Sequence, residues 1–153
     1  MSQPSVLFVC LGNICRSPLA EAAFIAAAAR AGLGASVDSA GTGDWHIGEP
    51  PDPRAQAEAL LHGIDISTYR GRQVAPEDFH RFSHICALDH KNLADLRALA
   101  PPDARASLSL LLDYAPGFAG QAVPDPYWGG AEDFAQCWRL VSLGAEGLAG
   151  ALG

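Results

Sequence analysis

The sequence predicts an α/β fold: an open four-stranded parallel sheet with helices on both faces. Three observations lead there. Short apolar runs alternate with helical patterns in the order βα, βα, βα, β, loop, α. The first run, Ser5 to Cys10 (SVLFVC), is uninterrupted, as expected of a strand buried on both faces. Near the end of the chain Phe134, Cys137, Trp138, Val141, Ala145 and Leu148 fall on one helical face. The length, 153 residues, suits one domain spanning 1–153 with one core.

The remaining elements follow from local signals. A loop, LGNIC, leaves the first strand. Ser17-Pro18 then opens a helix, because Ser is a good N-cap and Pro is preorganised for the first helical position. The Ala-rich run to Arg30 continues it, and Gly32 ends it. Residues 35–39 predict a second strand, followed by a Gly/Pro-rich loop to about Pro53. Ala57, Leu60, Leu61 and Ile64 recur at helical spacing, which predicts a helix over 53–62. Residues 82–88 (FSHICAL) predict the third strand. His90 to Ala100 reads as a helix stopped by Pro101-Pro102, and Leu108 to Leu112 as the fourth strand. Asp113 to Gly130 is a long loop rich in Pro, Gly and aromatics. Sites in such sheets lie beyond the carboxyl ends of the strands.

Composition narrows the function classes. Apolar residues make up 49% of the chain, enough for a packed interior. No uninterrupted apolar stretch reaches the roughly 18 residues of a membrane span. The N-terminus has neither a basic region nor an Ala-x-Ala site, which argues against a signal peptide and makes the cytoplasm the expected location. Net charge is −7, and the ten Lys and Arg are scattered rather than gathered in a basic stripe. Neither nucleic acid nor membrane is therefore an expected partner. An anionic ligand must be drawn in by a local site. The four cysteines, Cys10, Cys15, Cys86 and Cys137, read as free thiols of a reducing compartment. No CxxC pair and no Cys/His cluster of zinc spacing is present, so neither metal nor cofactor is expected. Cys86 and Cys137 read as buried thiols, and the five histidines as surface or packing residues.

The sharpest signal is Cys10-Leu11-Gly12-Asn13-Ile14-Cys15-Arg16-Ser17, between a strand and a helix. Gly12 and Asn13 tolerate positive φ, so the loop is expected to curl with its N–H groups inward. Such a nest at the positive end of a helix binds an oxyanion. Arg16 adds a planar fork that matches two phosphate oxygens. The same positive surroundings are expected to favour a thiolate at Cys10, with Ser17 hydrogen-bonded to it. The plainer reading makes Cys10 a strand residue and Arg16 a surface charge. Position at a strand-to-helix turn, with Gly-Asn inside, favours the anion site.

CLGNICRSP followed by Ala20-Glu21 resembles the low-molecular-weight protein tyrosine phosphatase family. The resemblance extends through Ser39-Ala40-Gly41-Thr42, Pro51-Asp52-Pro53-Arg54, Arg72-Gln73, Asp89 with Asn92, and Val123-Pro124-Asp125-Pro126-Tyr127. It implies a phosphotyrosine phosphatase I-like fold and metal-independent hydrolysis of phosphate monoesters through a phosphocysteine on Cys10. Protein phosphotyrosine or a small aryl phosphate would be the substrate and inorganic phosphate a product. On residues alone, Asp125 between two prolines reads as a solvated turn residue or as a stiffly mounted acid. The resemblance gives it the general acid's role. It also implies that Trp45 and Tyr127 line the substrate pocket, with Trp128 where another aromatic is usual.

Tyr69 stands where many members carry a His that helps fix the loop asparagine. A phenol there is expected to hydrogen-bond Asn13 or Glu21 instead. By the same resemblance Cys15 either forms a reversible disulfide with Cys10 or is a core thiol. Two rival functions remain in view. An arsenate reductase of the same fold needs two further cysteines close together, and Cys86 has no near partner in sequence. A non-catalytic phosphate-binding module needs Arg16 and the loop but neither Cys10 nor Asp125.

Overall fold

The computed structural model describes residues 3–153. The strands β1 (Ser5–Cys10), β2 (Ser36–Gly41), β3 (His84–Ala87) and β4 (Ser107–Leu110) form one parallel sheet in the order β2-β1-β3-β4. The helices are α1 (Arg16–Arg30), α2 (Pro53–Leu61), α3 (Asp78–Arg81), α4 (His90–Leu99) and α5 (Ala131–Leu152). The predicted fold class holds. The chain leaves β1 toward β2 on one side and returns past it to β3 on the other. That reversal opens a crevice at the carboxyl ends of β1 and β3.

The pleat of β1 builds two core layers. Val6, Phe8 and Cys10 face the layer made with α1, α2 and α5, where Phe8 meets Phe24 at 5.7 Å between ring centroids. Leu7 and Val9 face the layer that holds Phe79 of α3 and Leu93 and Leu96 of α4. Successive strand side chains point to opposite faces, so an apolar run without alternation is what a central strand requires.

Strands β2 and β3 are shifted or shortened by one or two residues at their ends, and three further differences from the sequence reading have a local polar reason. β4 stops at Leu110, and Leu111–Tyr114 coil into a 3-10 turn. There the Asp113 carboxylate accepts from the N–H groups of Leu110 at 3.2 Å and Gly120 at 2.8 Å. Residues 78–81 form α3, which periodicity over so few residues does not reveal. Asp78 organises it, accepting from the Ala75 N–H at 2.8 Å and holding the Arg72 guanidinium at 2.9 Å. Helix α1 starts at Arg16, after Cys15, and Ser17 does not cap it. The Ser17 hydroxyl is engaged at Cys10 instead.

Helix α5 lies close against the 3-10 turn because two glycines face it. A Cβ on Gly144 would stand 2.6 Å from Leu111 Cγ, and one on Gly147 would land on the Tyr114 carbonyl oxygen. Gly150, one turn on, faces open space. Among the described residues no helix is long and apolar enough to cross a membrane.

Glycine inside a helix costs about 1 kcal/mol relative to alanine. Gly150→Ala is therefore expected to raise unfolding free energy by up to about 1 kcal/mol. Gly147→Ala is expected to lower it by about 1–3 kcal/mol, since backbone must move. Urea denaturation of the two variants checks this, and equal shifts would refute the close approach of α5.

Candidate active site

Cys10 ends β1, and the residues after it turn sharply into α1. Asn13 has φ 57°, the one non-glycine left-handed residue among those described. Gly12 does not share that conformation. A Cβ there would stand 3.2 Å from the His46 ring, a tight approach to a side chain. The loop is pinned from outside by backbone bonds. Thr42 N–H donates to the Cys10 carbonyl at 2.9 Å, Gly43 N–H to that of Leu11 at 2.9 Å, and Asp52 N–H to that of Ile14 at 2.8 Å. Gly41 lies so close that a Cβ would come within 2.8 Å of the Leu11 carbonyl oxygen.

Asn13 holds its strained backbone with three side-chain bonds. Its Nδ2 donates to Ser17 Oγ at 2.7 Å and to Ser39 Oγ at 3.0 Å, and its Oδ1 accepts from the Arg72 N–H at 3.0 Å. The Ser39 hydroxyl in turn donates to Glu21 Oε1 at 2.7 Å. Ser17 Oγ, which accepts from Asn13, is hydrogen-bonded to Cys10 Sγ at 3.1 Å, and toward a thiolate its hydroxyl is the donor. The Asn13 N–H points to the same sulfur at 3.3 Å. The Asn13 N–H and the Ser17 hydroxyl thus meet at the sulfur, while the Ser39 branch leads away from it to Glu21.

Tyr69 takes no part in this chain. Among the described residues no hydrogen bond joins its hydroxyl to Asn13 or Glu21, whose bonds are those just named. It packs against the core beside them, and burial, then the Glu21 charge, push its phenol up to about 12. Glu21 is left without a cationic hydrogen-bond partner. Burial pushes its carboxyl up to about 7, against the Ser39 hydrogen bond and the more distant charge of Arg72.

Arg16 is 3% exposed. Its guanidinium donates to Asp89 Oδ2 at 2.7 Å and to the Val123 carbonyl at 3.0 Å. Burial opposes its charge, but Cys10, the Asp89 hydrogen bond and Asp125 together hold its pKa above the usual value. Asp89 also caps α4, accepting from the Asn92 N–H at 2.7 Å. Asp125 reaches the loop: its Oδ2 lies 3.7 Å from Arg16 Nη2. Two bonds hold it there. Val123 N–H donates to the Leu88 carbonyl at 2.8 Å, and Tyr127 N–H donates to Asp125 Oδ1 at 3.1 Å.

These groups floor a cleft of about 270 Å³. Cys10, Leu11, Gly12, Ile14, Cys15 and Arg16 line its base, and Asp125, Trp45, Tyr127 and Trp128 its mouth. Asn13 and Ser17 stand behind Cys10 and not in the cleft wall. Trp128 is 91% exposed and meets Tyr127 edge-on at 4.9 Å. Arg54 sits over the Tyr127 and Phe134 rings at 5.5 and 4.8 Å, and Asp52 holds it.

Sequence reasoning missed His46, which lines the cleft and bonds Glu49 at 3.0 Å. It is one of the histidines read as surface or packing, and only its place beside Trp45 hinted otherwise. Roles for Asp89, Ser39, Glu21 and the Arg72 amide were also missed. Asp89, two residues after β3, sits where parallel sheets place ligands, and that signal was available.

The other thiols are of a different kind. Cys15, Cys86 and Cys137 are buried and free. Burial, then the Asp52 charge, push Cys15 well above the usual thiol range, and burial pushes Cys86 and Cys137 up to about 12. All three are neutral thiols near pH 7.

A thiol, a buried guanidinium and a carboxylate meet at the carboxyl end of a parallel strand and the positive end of a helix. Such an arrangement can hold an oxyanion, with a thiol and a carboxyl group beside it. The profile described as "Low molecular weight phosphotyrosine protein phosphatase" matches residues 5–153. A Streptomyces coelicolor protein named low molecular weight protein-tyrosine-phosphatase is 46% identical, over 96% of this chain and 92% of its own. The Schizosaccharomyces pombe low molecular weight phosphotyrosine protein phosphatase is 43% identical, over 90% of each. The crystal structure of YfkJ from Bacillus subtilis superposes with a TM-score of 0.90 at 41% identity, covering 99% of this chain and 95% of that one. The chain belongs to the low molecular weight phosphotyrosine protein phosphatase family.

The Glu21 carboxyl titrates near 4.5 when unfolded and near 7 when folded. Between those values the folded state holds a proton that the unfolded state has lost, so this group's contribution to stability falls as pH rises through the window. The loss is on the order of 3 kcal/mol. Glu21→Gln keeps an acceptor for Ser39 and cannot titrate. Its stability relative to the parent should therefore grow from pH 4.5 to 7.5 in denaturant titrations, and a constant difference would refute the buried carboxyl.

Proposed function

We propose that this protein hydrolyses aryl phosphate monoesters, protein phosphotyrosine foremost, by double displacement on Cys10. The observation that carries the reading is the 3.7 Å approach of Asp125 to Arg16, which puts an acid at the mouth of the cleft that Cys10 floors. The Cys10 thiolate attacks phosphorus, and an S–P bond forms as the P–O ester bond breaks. Arg16 and the α1 terminus take the charge of the phosphoryl oxygens, so the chemistry needs no metal. Asp125 gives its proton to the departing phenol oxygen. Ser17 and the Asn13 N–H, at 3.1 and 3.3 Å from the sulfur, stabilise it as attacking and leaving group. Water then attacks the phosphocysteine, Asp125 takes a proton from it, and inorganic phosphate leaves as the thiolate returns. Asp89 and the Val123 carbonyl hold Arg16 in register with the loop and act as positioning groups.

The aromatic rim of Trp45, Tyr127 and Trp128 suits a phenolic leaving group. A cytoplasmic setting, which keeps Cys10 reduced, fits this chemistry. An arsenate reductase would need accessible thiols to relay a disulfide, and Cys86 and Cys137 are buried.

Release of nitrophenol from para-nitrophenyl phosphate, with a chelator present, tests the mechanism. Turnover is expected for the parent protein, none for Cys10→Ser, and a loss of about hundredfold or more for Asp125→Ala. A folded parent without turnover would leave a phosphate-binding module as the better reading.

A further inference from the structure

Beside the catalytic cleft lies a second depression of about 390 Å³, in the crevice between the loop after β2 and helix α4. Leu11, Thr42, Gly43, Trp45, Lys91 and Leu99 line it. Leu11 and Trp45 line the cleft as well, so the two depressions are continuous across one partition. The partition is seated closely: a Cβ on Gly43 would run into the Trp45 ring. Three apolar side chains stand exposed here, Leu11 at 40%, Trp45 at 65% and Leu99 at 50%. Lys91 pairs with Asp95 at 3.3 Å, so the charges of the groove offset each other in a protein of net charge −7.

We propose that this groove is a substrate subsite, which takes an aliphatic side chain flanking the phosphotyrosine of a polypeptide substrate. The proposal rests on the phosphatase reading above and makes the preferred substrate a peptide rather than a small aryl phosphate. With the phosphate on Cys10, the tyrosine ring runs up the cleft and its backbone emerges at the rim beside Trp45. An extended chain advances about 3.3–3.6 Å per residue, so a neighbour two positions away is displaced by about 7 Å. That step carries its side chain past the Trp45 ring into the adjoining groove. Residues two apart on a strand also point to the same side. An apolar, locally neutral groove favours leucine or a similar side chain over a carboxylate, which the overall negative charge also repels. A small aryl phosphate ends at the cleft and leaves the groove empty.

The experiment compares kcat/KM for three substrates. One is a phosphotyrosyl peptide with leucines two residues before and after the phosphotyrosine; the second has alanines there; the third is para-nitrophenyl phosphate. The parent should prefer the leucine peptide by about tenfold, the worth of burying most of one aliphatic side chain. Leu99→Ala should shrink that preference and Leu99→Asp abolish it, each leaving para-nitrophenyl phosphate within about twofold of the parent. Leu61→Asp, on exposed α2 and outside both depressions, should keep the preference. Equal rates for the two peptides in the parent, or an unchanged preference in Leu99→Asp, would overturn the subsite while nitrophenol release left the phosphatase reading standing. Equal losses on all three substrates in both Leu99 variants would assign Leu99 to the loop's integrity and overturn it too. Absence of turnover on every substrate by the parent would sink the phosphatase reading itself.

Discussion

The site hangs on one asparagine held in a left-handed backbone conformation by three side-chain hydrogen bonds. Asn13 at φ 57° reverses the chain after β1 so that its own N–H faces the sulfur of Cys10. A non-glycine residue in that region costs on the order of 1–2 kcal/mol, and three side-chain hydrogen bonds offset it. The partners come from α1, from β2 and from the segment before α3. The loop's conformation therefore depends on helix, sheet and the Arg72 segment together. The same amide spends both its N–H donors on serines, and one of them, Ser17, meets Cys10 Sγ at 3.1 Å.

Electrostatics in this protein are local. A chain of net charge −7 gives an anion no general welcome, and the attraction comes from Arg16 with the positive end of α1. Burying a guanidinium is costly unless it is paired, and Asp89 with the Val123 carbonyl supplies the pairing. Asp125 is held near the same cation without a direct hydrogen bond to it, at 3.7 Å, and is more exposed than Asp89. One carboxylate therefore serves as the fixed counterion and the other faces the cleft. Glu21 is a third case, a carboxyl kept in low-polarity surroundings with a neutral phenol nearby. Its burial is a cost borne by the network that orients Ser39 and Asn13.

The geometry of the sheet explains why these groups meet. The reversal of connection about β1 leaves a crevice above β1 and β3. Cys10 stands at one lip and Asp89 at the other, while the proline-bounded segment after the 3-10 turn crosses over them. The adjoining groove follows from the same crevice, continued between the β2 exit loop and α4.

The sequence by itself determined the order of elements, the all-parallel sheet and the strand-to-helix loop with Cys10, Arg16 and Ser17 in it. These are readable because they depend on short-range patterns: apolar runs, helical spacing, and a nucleophile and a cation a few residues apart. It missed α3, the early end of β4 and the true start of α1, because each is set by one polar side chain bonded to a nearby group. The tertiary structure alone decided that Asp125 and Asp89 flank Arg16, that Glu21 closes the chain behind Asn13, that His46 joins the cleft, and that Tyr69 stays outside the hydrogen-bond network. Each of those depends on residues far apart in the chain arriving within bonding distance. Hydrogen bonds and ion pairs act over a few ångströms, and no periodicity in a sequence records such a meeting.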